Sequence, residues 1–255
     1  MPPMNRRLFL VSSLALPVGC AMNRGDHTGT GPAPQVRAPL TGQSWQYAKN
    51  DLFTRALLDT EIDRVSSVGK TIDIDAHTEG SDKKDAAQGS VWGLGWMRRY
   101  FSHAQPSALL PSEVQAPWGM VLVDPHWSQL QVYEAPIPLW PSRLQPGWQT
   151  RILSKYKTVD SEREFRWEQT MKAEAWEMVK VPAGQFTALR YVNAIRFGDI
   201  DPARTDSVRH ETIWIAPEVG RWVARESKGT YYLDDSVDDQ PHSESSYRWE
   251  LQEWS

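Results

Sequence analysis

The sequence predicts an all-β protein built from an antiparallel curved sheet, arranged as a sandwich or half-barrel with few short helical turns. Three observations support this fold class. Apolar and polar residues alternate with a period of two through most of the chain after residue 41. Turn-forming residues separate these alternating runs, and no amphipathic helical pattern of good length follows the N-terminal 20 residues. Alternation on one side only is typical of antiparallel sheets with one wet face.

The alternating runs define the predicted strands in chain order. They cover residues 44–47, 71–76, 121–123, 130–132, 148–156, 165–173, 186–197, 213–223 and 247–254. A Pro-Ala-Gly turn at 182–184 and a Pro-Glu-Val-Gly turn at 217–220 predict hairpins. The run at 247–254 is expected to close the sheet, and helical turns are expected only at 51–59 and 97–102.

Tryptophan is abundant, with 13 residues against 8 Tyr and 6 Phe. Most of these side chains fall within alternating runs, where a large aromatic ring fills the core of a sheet that no helix covers. The tryptophans predicted to lie in the core are Trp45, Trp148, Trp167, Trp214, Trp222 and Trp249.

Composition narrows the class of protein. The 255 residues are 40% hydrophobic and 24% charged, which suffices for a packed core and excludes a wholly disordered chain. The net charge of −4 disfavours an electrostatic nucleic-acid binder, so we expect no nucleic-acid partner. One cysteine excludes an internal disulfide and a zinc site built on cysteines.

The N-terminal 19 residues have the features of a signal peptide. Arg6 and Arg7 precede an apolar run, Leu8–Val18, of about eleven residues, which is too short to span a bilayer as a helix. The stretch from Asn5 to Leu10 also resembles the twin-arginine export motif, so export by the Sec or the twin-arginine route stays open.

The only cysteine, Cys20, follows this apolar run directly after Gly19. This arrangement resembles a bacterial lipoprotein signal and implies lipidation of Cys20, with palmitate among the acyl chains, as a membrane anchor. An ordinary buried cysteine is the alternative. In lipoproteins of this kind Ala21 favours the outer membrane, so we expect a lipid-anchored protein on the periplasmic side of the envelope.

Residues 20–40 are polar and rich in glycine and proline, which predicts a flexible tether with a reach of roughly 25 Å. The all-β periplasmic domain is then expected to span residues 41–255.

Three stretches carry a family resemblance. They are Gly42-x-Ser44-Trp45-x-Tyr47, then Val181-Pro182-Ala183-Gly184-x-Phe186-x-Ala188, and Glu211-Thr212-x-Trp214-x-Ala216-Pro217-x-Val219-Gly220. The chain resembles periplasmic proteins of the TapB type, which share a domain of unknown function. The resemblance implies an antiparallel sheet curled into a sandwich or half-barrel, and it brings no catalytic residues with it.

The least regular stretch of the domain, residues 79–118, carries the predicted binding residues Trp92, Trp96, Tyr100 and Phe101. Aromatic rings of this kind suit a surface that is half apolar and half wet, so we expect a lip that contacts a lipid-like ligand, a membrane or a partner protein. The alternative is that these rings fill the open face of the sheet.

The polar candidates are weaker. The acidic loop 234–239 has hard oxygen ligands for calcium, but it lacks the spacing of a calcium-binding loop and is expected to be solvated. The scattered histidines have no metal-binding partner at helical spacing, and there is no Gly-x-Ser-x-Gly nucleophile turn. His210 and Glu211 are neighbours on a strand, so they should point to opposite faces. We therefore expect no catalytic residue, no metal and no cofactor.

These observations favour a non-catalytic cell-envelope lipoprotein, a binding or assembly module for an apolar or amphipathic ligand or a partner protein. A purely structural interaction protein is the alternative, and a hydrolase with an unrecognised site is a third hypothesis. A deep apolar cavity would favour the first, a filled interior the second, and a buried histidine–carboxylate pair in a polar cleft the third.

Overall fold

The computed structural model describes residues 33–80, 112–127, 129–158, 161–234 and 240–255, and within these ranges the chain forms β-strands and no helix. The strands are β1 (Ser44–Asp51), β2 (Leu57–Val68), β3 (Ile72–Gly80), β4 (Glu113–Gln115), β5 (Met120–Asp124), β6 (Gln131–Pro138), β7 (Gln149–Thr158), β8 (Ser161–Val181), β9 (Gly184–Phe197), β10 (Arg204–Ala216), β11 (Arg221–Leu233), β12 (His242–Ser243) and β13 (Tyr247–Trp254). No described segment forms a helix long and apolar enough to cross a membrane.

The strands join into a closed antiparallel ring. Strands β1 to β10 pair with their neighbours in chain order, β10 pairs with β11, and β13 pairs with both β11 and β1. The ring therefore contains β1 to β11 and β13, while the short β12 adds to the far end of β11.

This topology confirms the predicted all-β antiparallel class and corrects its architecture, because the two edges of the predicted sandwich or half-barrel are joined into a barrel. The run at 247–254 closes the sheet as expected.

The predicted helical turn at 51–59 is absent. Asp51 Oδ1 accepts hydrogen bonds from the backbone N–H groups of Phe53 (3.0 Å) and Thr54 (2.7 Å), which hold a tight turn between β1 and β2. The other predicted turn, at 97–102, lies outside the described residues.

The interior contains two apolar clusters. The larger one includes Trp45, Tyr47, Trp222 and Leu251, and Tyr47 stacks on Trp222 with ring centroids 3.6 Å apart. The smaller one consists of Val121, Tyr133, Ile137, Tyr156, Phe165, Trp167 and Ile195. Trp45, Trp167, Trp222 and Trp249 are buried as predicted, whereas Trp148 and Trp214 are only partly buried.

Polar residues occupy several inward positions beside these clusters. Gln169 on β8, Asn193 on β9 and Glu211 on β10 are all buried. Inward-facing positions recur at every second residue, so each of these side chains replaces a core residue. The barrel thus carries a buried polar layer, and this layer positions the candidate site.

The chain that precedes β1 contacts one end of the barrel. The backbone N–H of Arg37 donates to the Pro217 carbonyl (2.9 Å), and the Trp118 indole donates to the Arg37 carbonyl (3.0 Å). Val36 packs on the larger cluster. The flexible tether stays a prediction for residues 20–32, which lie outside the described residues.

Candidate functional site

A histidine surrounded by carboxylates lies in the polar layer. His126 follows β5 in a Asp124-Pro125-His126 turn, in which Asp124 Oδ1 accepts a hydrogen bond from the His126 backbone N–H (2.9 Å). The same oxygen lies 2.9 Å from the ring nitrogen Nδ1. One carboxylate therefore fixes both the backbone of the turn and the orientation of the imidazole.

Three further carboxylates face the ring. Glu61 Oε1 and Asp63 Oδ1 each lie 3.4 Å from His126 Nε2, and Glu113 Oε2 lies 3.4 Å from Nδ1. Glu61 and Asp63 are two residues apart on β2, so both point inward from the same strand face. Each ring nitrogen of His126 thus meets two carboxylates.

Arg221 neutralises part of this charge. Its Nη2 lies 2.9 Å from both Asp63 Oδ2 and Glu113 Oε2, and the residue is only 2% exposed. The Arg221 guanidinium also lies 5.5 Å from the centre of the Trp45 ring. Such partners are needed because moving an ion from water into a protein interior costs on the order of several kcal/mol.

Indole N–H groups hold the outer oxygens of two of these carboxylates. Trp249 Nε1 donates to Glu61 Oε2 (3.2 Å), and Trp127 Nε1 donates to Asp124 Oδ2 (3.1 Å). The Arg209 guanidinium covers the Trp127 ring at 3.9 Å from its centre. These indole groups therefore fix the orientation of the Glu61 and Asp124 carboxylates.

The cluster shifts the pKa values of its members. Burial works to lower the pKa of His126, but hydrogen bonds to Asp124 and Asp63 and the charge of Glu61 outweigh it and raise that pKa well above its usual value. Burial raises the pKa of Glu61, partly opposed by His126. The pKa of Asp63 is lowered because Arg221 and His126 outweigh the effect of burial. The His126 side chain therefore favours its protonated, imidazolium form.

A small cavity of about 50 Å³ adjoins the cluster and is lined by His126, Asp124, Asn193 and Arg221, among other residues. A water molecule needs a cavity volume on the order of 10–15 Å³, so this cavity has room for a few molecules of that size. Within the described part of the chain, Asn193 Oδ1 and Arg221 Nε are buried and have no hydrogen-bond partner. The cavity thus offers unused polar atoms next to the histidine.

The sequence predicts none of this cluster, since its members come from β2, β4, β5, β11 and the turn after β5. Two features of the sequence hint at the cluster. Glu61 and Asp63 are acids at alternate positions, and Asp124 and His126 flank a proline. The expectation about His210 is confirmed: it is exposed on the outer face, and Glu211 is buried inside.

Most of the predicted site residues lie outside the described residues. These are Cys20, Trp92, Trp96, Tyr100, Phe101, His103 and residues 235–239 of the acidic loop. Their roles stay predictions. The described histidines His77 and His242 are exposed, and His242 stacks on Tyr231 with ring centroids 5.5 Å apart.

A basic groove crosses the outer face of β8 to β11. It has a volume of about 600 Å³ and is lined by Arg166, Arg196, His210 and Tyr232, among other residues. These side chains come from four neighbouring strands, so the groove runs across the sheet. Its lining also includes Asp206, and Arg166 is paired with Glu168, so the positive charge of the groove comes chiefly from Arg196.

No protein-family model matches the chain, and no curated protein matches it. Two crystal structures resemble its fold, each at 10% sequence identity and covering 88% of this chain and 100% of the other. One is a putative exported protein with a YmcC-like fold from Bacteroides fragilis, at a TM-score of 0.49. The other is a putative lipoprotein from Parabacteroides distasonis, at a TM-score of 0.43. Likenesses at this level carry no argument about the function of this chain.

Proposed function

We propose that this protein is a non-catalytic lipoprotein of the cell envelope whose barrel docks onto a partner protein through its outer face. The observation that supports the docking role is the small size of the cavity that the described residues leave beside His126. Binding sites for lipid-sized molecules measure about 300–1,000 Å³, whereas the cavity beside His126 measures about 50 Å³. A lipid carried inside the barrel is therefore the weaker of the two binding hypotheses.

The basic groove supports this role and suggests the chemistry of the partner. Arg166 and Arg196 lie on its walls, and the exposed face of a barrel is reached without opening the fold. Complementary charge speeds association and selects partners. We propose that the groove receives an acidic surface of another envelope protein.

Hydrolysis is a second candidate, because the structure contains the partly buried histidine–carboxylate pair His126–Asp124. Two features weigh against it. Both ring nitrogens already face carboxylates, so none is directed at a substrate. The adjoining cavity is also too small for any but the smallest substrates.

The anchor is tested with the full chain expressed in a Gram-negative host. We expect radiolabelled palmitate to enter the wild-type protein and the protein to sediment with outer membranes. Cys20→Ser should lose the label and appear in the soluble periplasmic fraction. Unlabelled wild-type protein, or unchanged membrane association of C20S, contradicts the lipoprotein hypothesis.

The docking surface is tested by placing a photo-crosslinking amino acid at position 196 in the same full-length protein. We expect one dominant adduct with an envelope protein, reduced several-fold by Arg166→Glu. The matched control is position 64 on β2, where Arg64 is also exposed on the outer face. Equal adducts at both positions, or none at 196, contradict docking through the groove.

A further inference from the structure

From the ligand geometry around His126 we infer that the barrel binds one divalent transition-metal ion of the zinc class through His126 Nε2, Glu61 and Asp63. The candidate ligand atoms of these three residues all lie within 4.8 Å of one another. This inference is independent of the anchor and of the docking surface.

The distances around Nε2 match a coordination sphere better than a hydrogen bond. Glu61 Oε1 and Asp63 Oδ1 each lie 3.4 Å from Nε2, beyond the about 2.7–2.9 Å of a charge-assisted hydrogen bond. Zinc bonds of about 2.0–2.1 Å in a tetrahedron place neighbouring ligand atoms about 3.3–3.4 Å apart. The two separations from Nε2 therefore match those between neighbouring ligands of a tetrahedral ion.

Each ligand has a supporting partner of the kind that metal sites use. Asp124 Oδ1 lies 2.9 Å from His126 Nδ1 and directs Nε2 toward the two carboxylates. Trp249 Nε1 holds the second oxygen of Glu61 at 3.2 Å, and Arg221 Nη2 lies 2.9 Å from the second oxygen of Asp63.

The buried carboxylate of Asp63 provides a second observation. Asp63 is 0% exposed, and its Oδ2 is paired with the Arg221 guanidinium at 2.9 Å. Its other oxygen makes only the 3.4 Å contact with His126. The Asp63 oxygen that faces His126 Nε2 therefore makes only a long contact within the described residues, and a cation placed there would complete its surroundings.

The net charge of the site also favours a bound cation. Glu61, Asp63, Glu113 and Asp124 all face His126, and Arg221 is the arginine in direct contact with two of them. Four carboxylates around one imidazolium and one guanidinium still leave excess negative charge in a buried place, and an ion that binds Nε2 replaces its proton. A divalent ion compensates this charge, and an imidazole with carboxylates is a donor set that suits zinc.

The test uses the full chain in detergent with Cys20→Ser in every preparation, so that no thiol binds metal. Equilibrium dialysis against zinc chloride, followed by elemental analysis, should give one zinc ion per chain. Cobalt chloride should give the visible absorption of a tetrahedral or five-coordinate site. Magnesium should bind far more weakly, because an imidazole is a poor ligand for it.

Three variants and one control locate the ion. His126→Gln should abolish binding, and Glu61→Gln should weaken it strongly while keeping an oxygen for the Trp249 indole. Trp249→Phe removes the supporting N–H together with part of a buried ring, and it should weaken binding about 10- to 100-fold. His210→Gln, on the outer face, should bind as the parent does. Absence of bound zinc in the parent, or unchanged binding in both H126Q and E61Q, overturns the inference, and circular dichroism of E61Q confirms that its fold is retained.

Discussion

At the scale of single residues, the turn between β4 and β5 depends on a glycine that has no room for a side chain. Gly119 has a φ of +85°, and a Cβ added there would lie 2.5 Å from Trp140 Cε2. Trp140 is part of the larger apolar cluster, so it has little freedom to move. Gly119→Ala should lower the free energy of unfolding by about 2–4 kcal/mol, from the left-handed backbone and from the steric conflict together.

Gly147 provides the matched control, because it has the same φ of +85° and a Cβ there would meet nothing within 4 Å. Gly147→Ala should cost about 1–2 kcal/mol, from the backbone alone. Urea unfolding followed by tryptophan fluorescence measures both. Equal losses in the two variants would show that Trp140 yields easily and would refute the packing argument.

Arg221 is the residue whose loss should be felt most strongly in the polar layer. Arg221→Gln leaves Asp63 and Glu113 without the guanidinium that lies 2.9 Å from each. Breaking a buried ion pair by removing one partner costs about 3–5 kcal/mol. Arg151→Gln is the control, since the Arg151 side chain is 61% exposed in its pair with Glu168 and should cost about 0–1 kcal/mol. Similar unfolding midpoints for the two variants would contradict the assigned role of Arg221.

At the scale of strands, sequence alternation predicts those elements whose inward positions are apolar. In β7 the even-numbered residues from 150 to 156 are buried or partly buried, and the odd-numbered ones are exposed, as the pattern indicates. Strand β2 is not predicted, because its inward positions include Glu61 and Asp63 rather than apolar residues. The charged residues at inward positions of β2 break the alternation pattern, and the same residues form part of the candidate site.

The site escapes sequence analysis for a second reason, which is distance along the chain. Asp63 and Arg221 meet although β1 and β13 separate β2 from β11 in the ring, and no local spacing signals that contact. The Asp124-Pro125-His126 turn is visible in the sequence, but its partners are not. Long-range pairing follows only from the closed ring, which the alternation pattern leaves undetermined between sandwich, half-barrel and barrel.

Two leucines test the assignment of strand faces. Leu251 on β13 is fully buried in the larger cluster, whereas the side chain of Leu153 on β7 is exposed. Leu251→Ala should cost about 2–5 kcal/mol, from lost burial and the cavity that remains. Leu153→Ala should change stability by less than about 0.5 kcal/mol. Thermal and urea unfolding compare the pair, and a large loss for L153A would place β7 with the opposite face inward.

At the scale of the whole molecule, closure of the ring removes the sheet edges that would otherwise bind other strands. Strand β13 provides this closure, since it pairs with β1 from Trp45–Trp254 to Asp51–Tyr247 and with β11 over residues 224–227. It also supplies Trp249 and Leu251 to the core. One strand thus joins the two ends of the sheet and fills the space between them.

Removal of residues 247–255 should therefore convert the closed barrel into an aggregating chain. The truncation exposes the edge of β1 and part of β11, and unpaired edges of this length are templates for intermolecular pairing. Size-exclusion chromatography with light scattering should show oligomers, and the cooperative thermal transition should disappear. The control lacks only Ser255, whose N–H donates to the Ser44 carbonyl (3.1 Å) at the end of the β1–β13 pair; it should stay monomeric and lose at most about 1 kcal/mol. If the truncated protein elutes and melts as the full chain does, β13 is not needed to close the barrel.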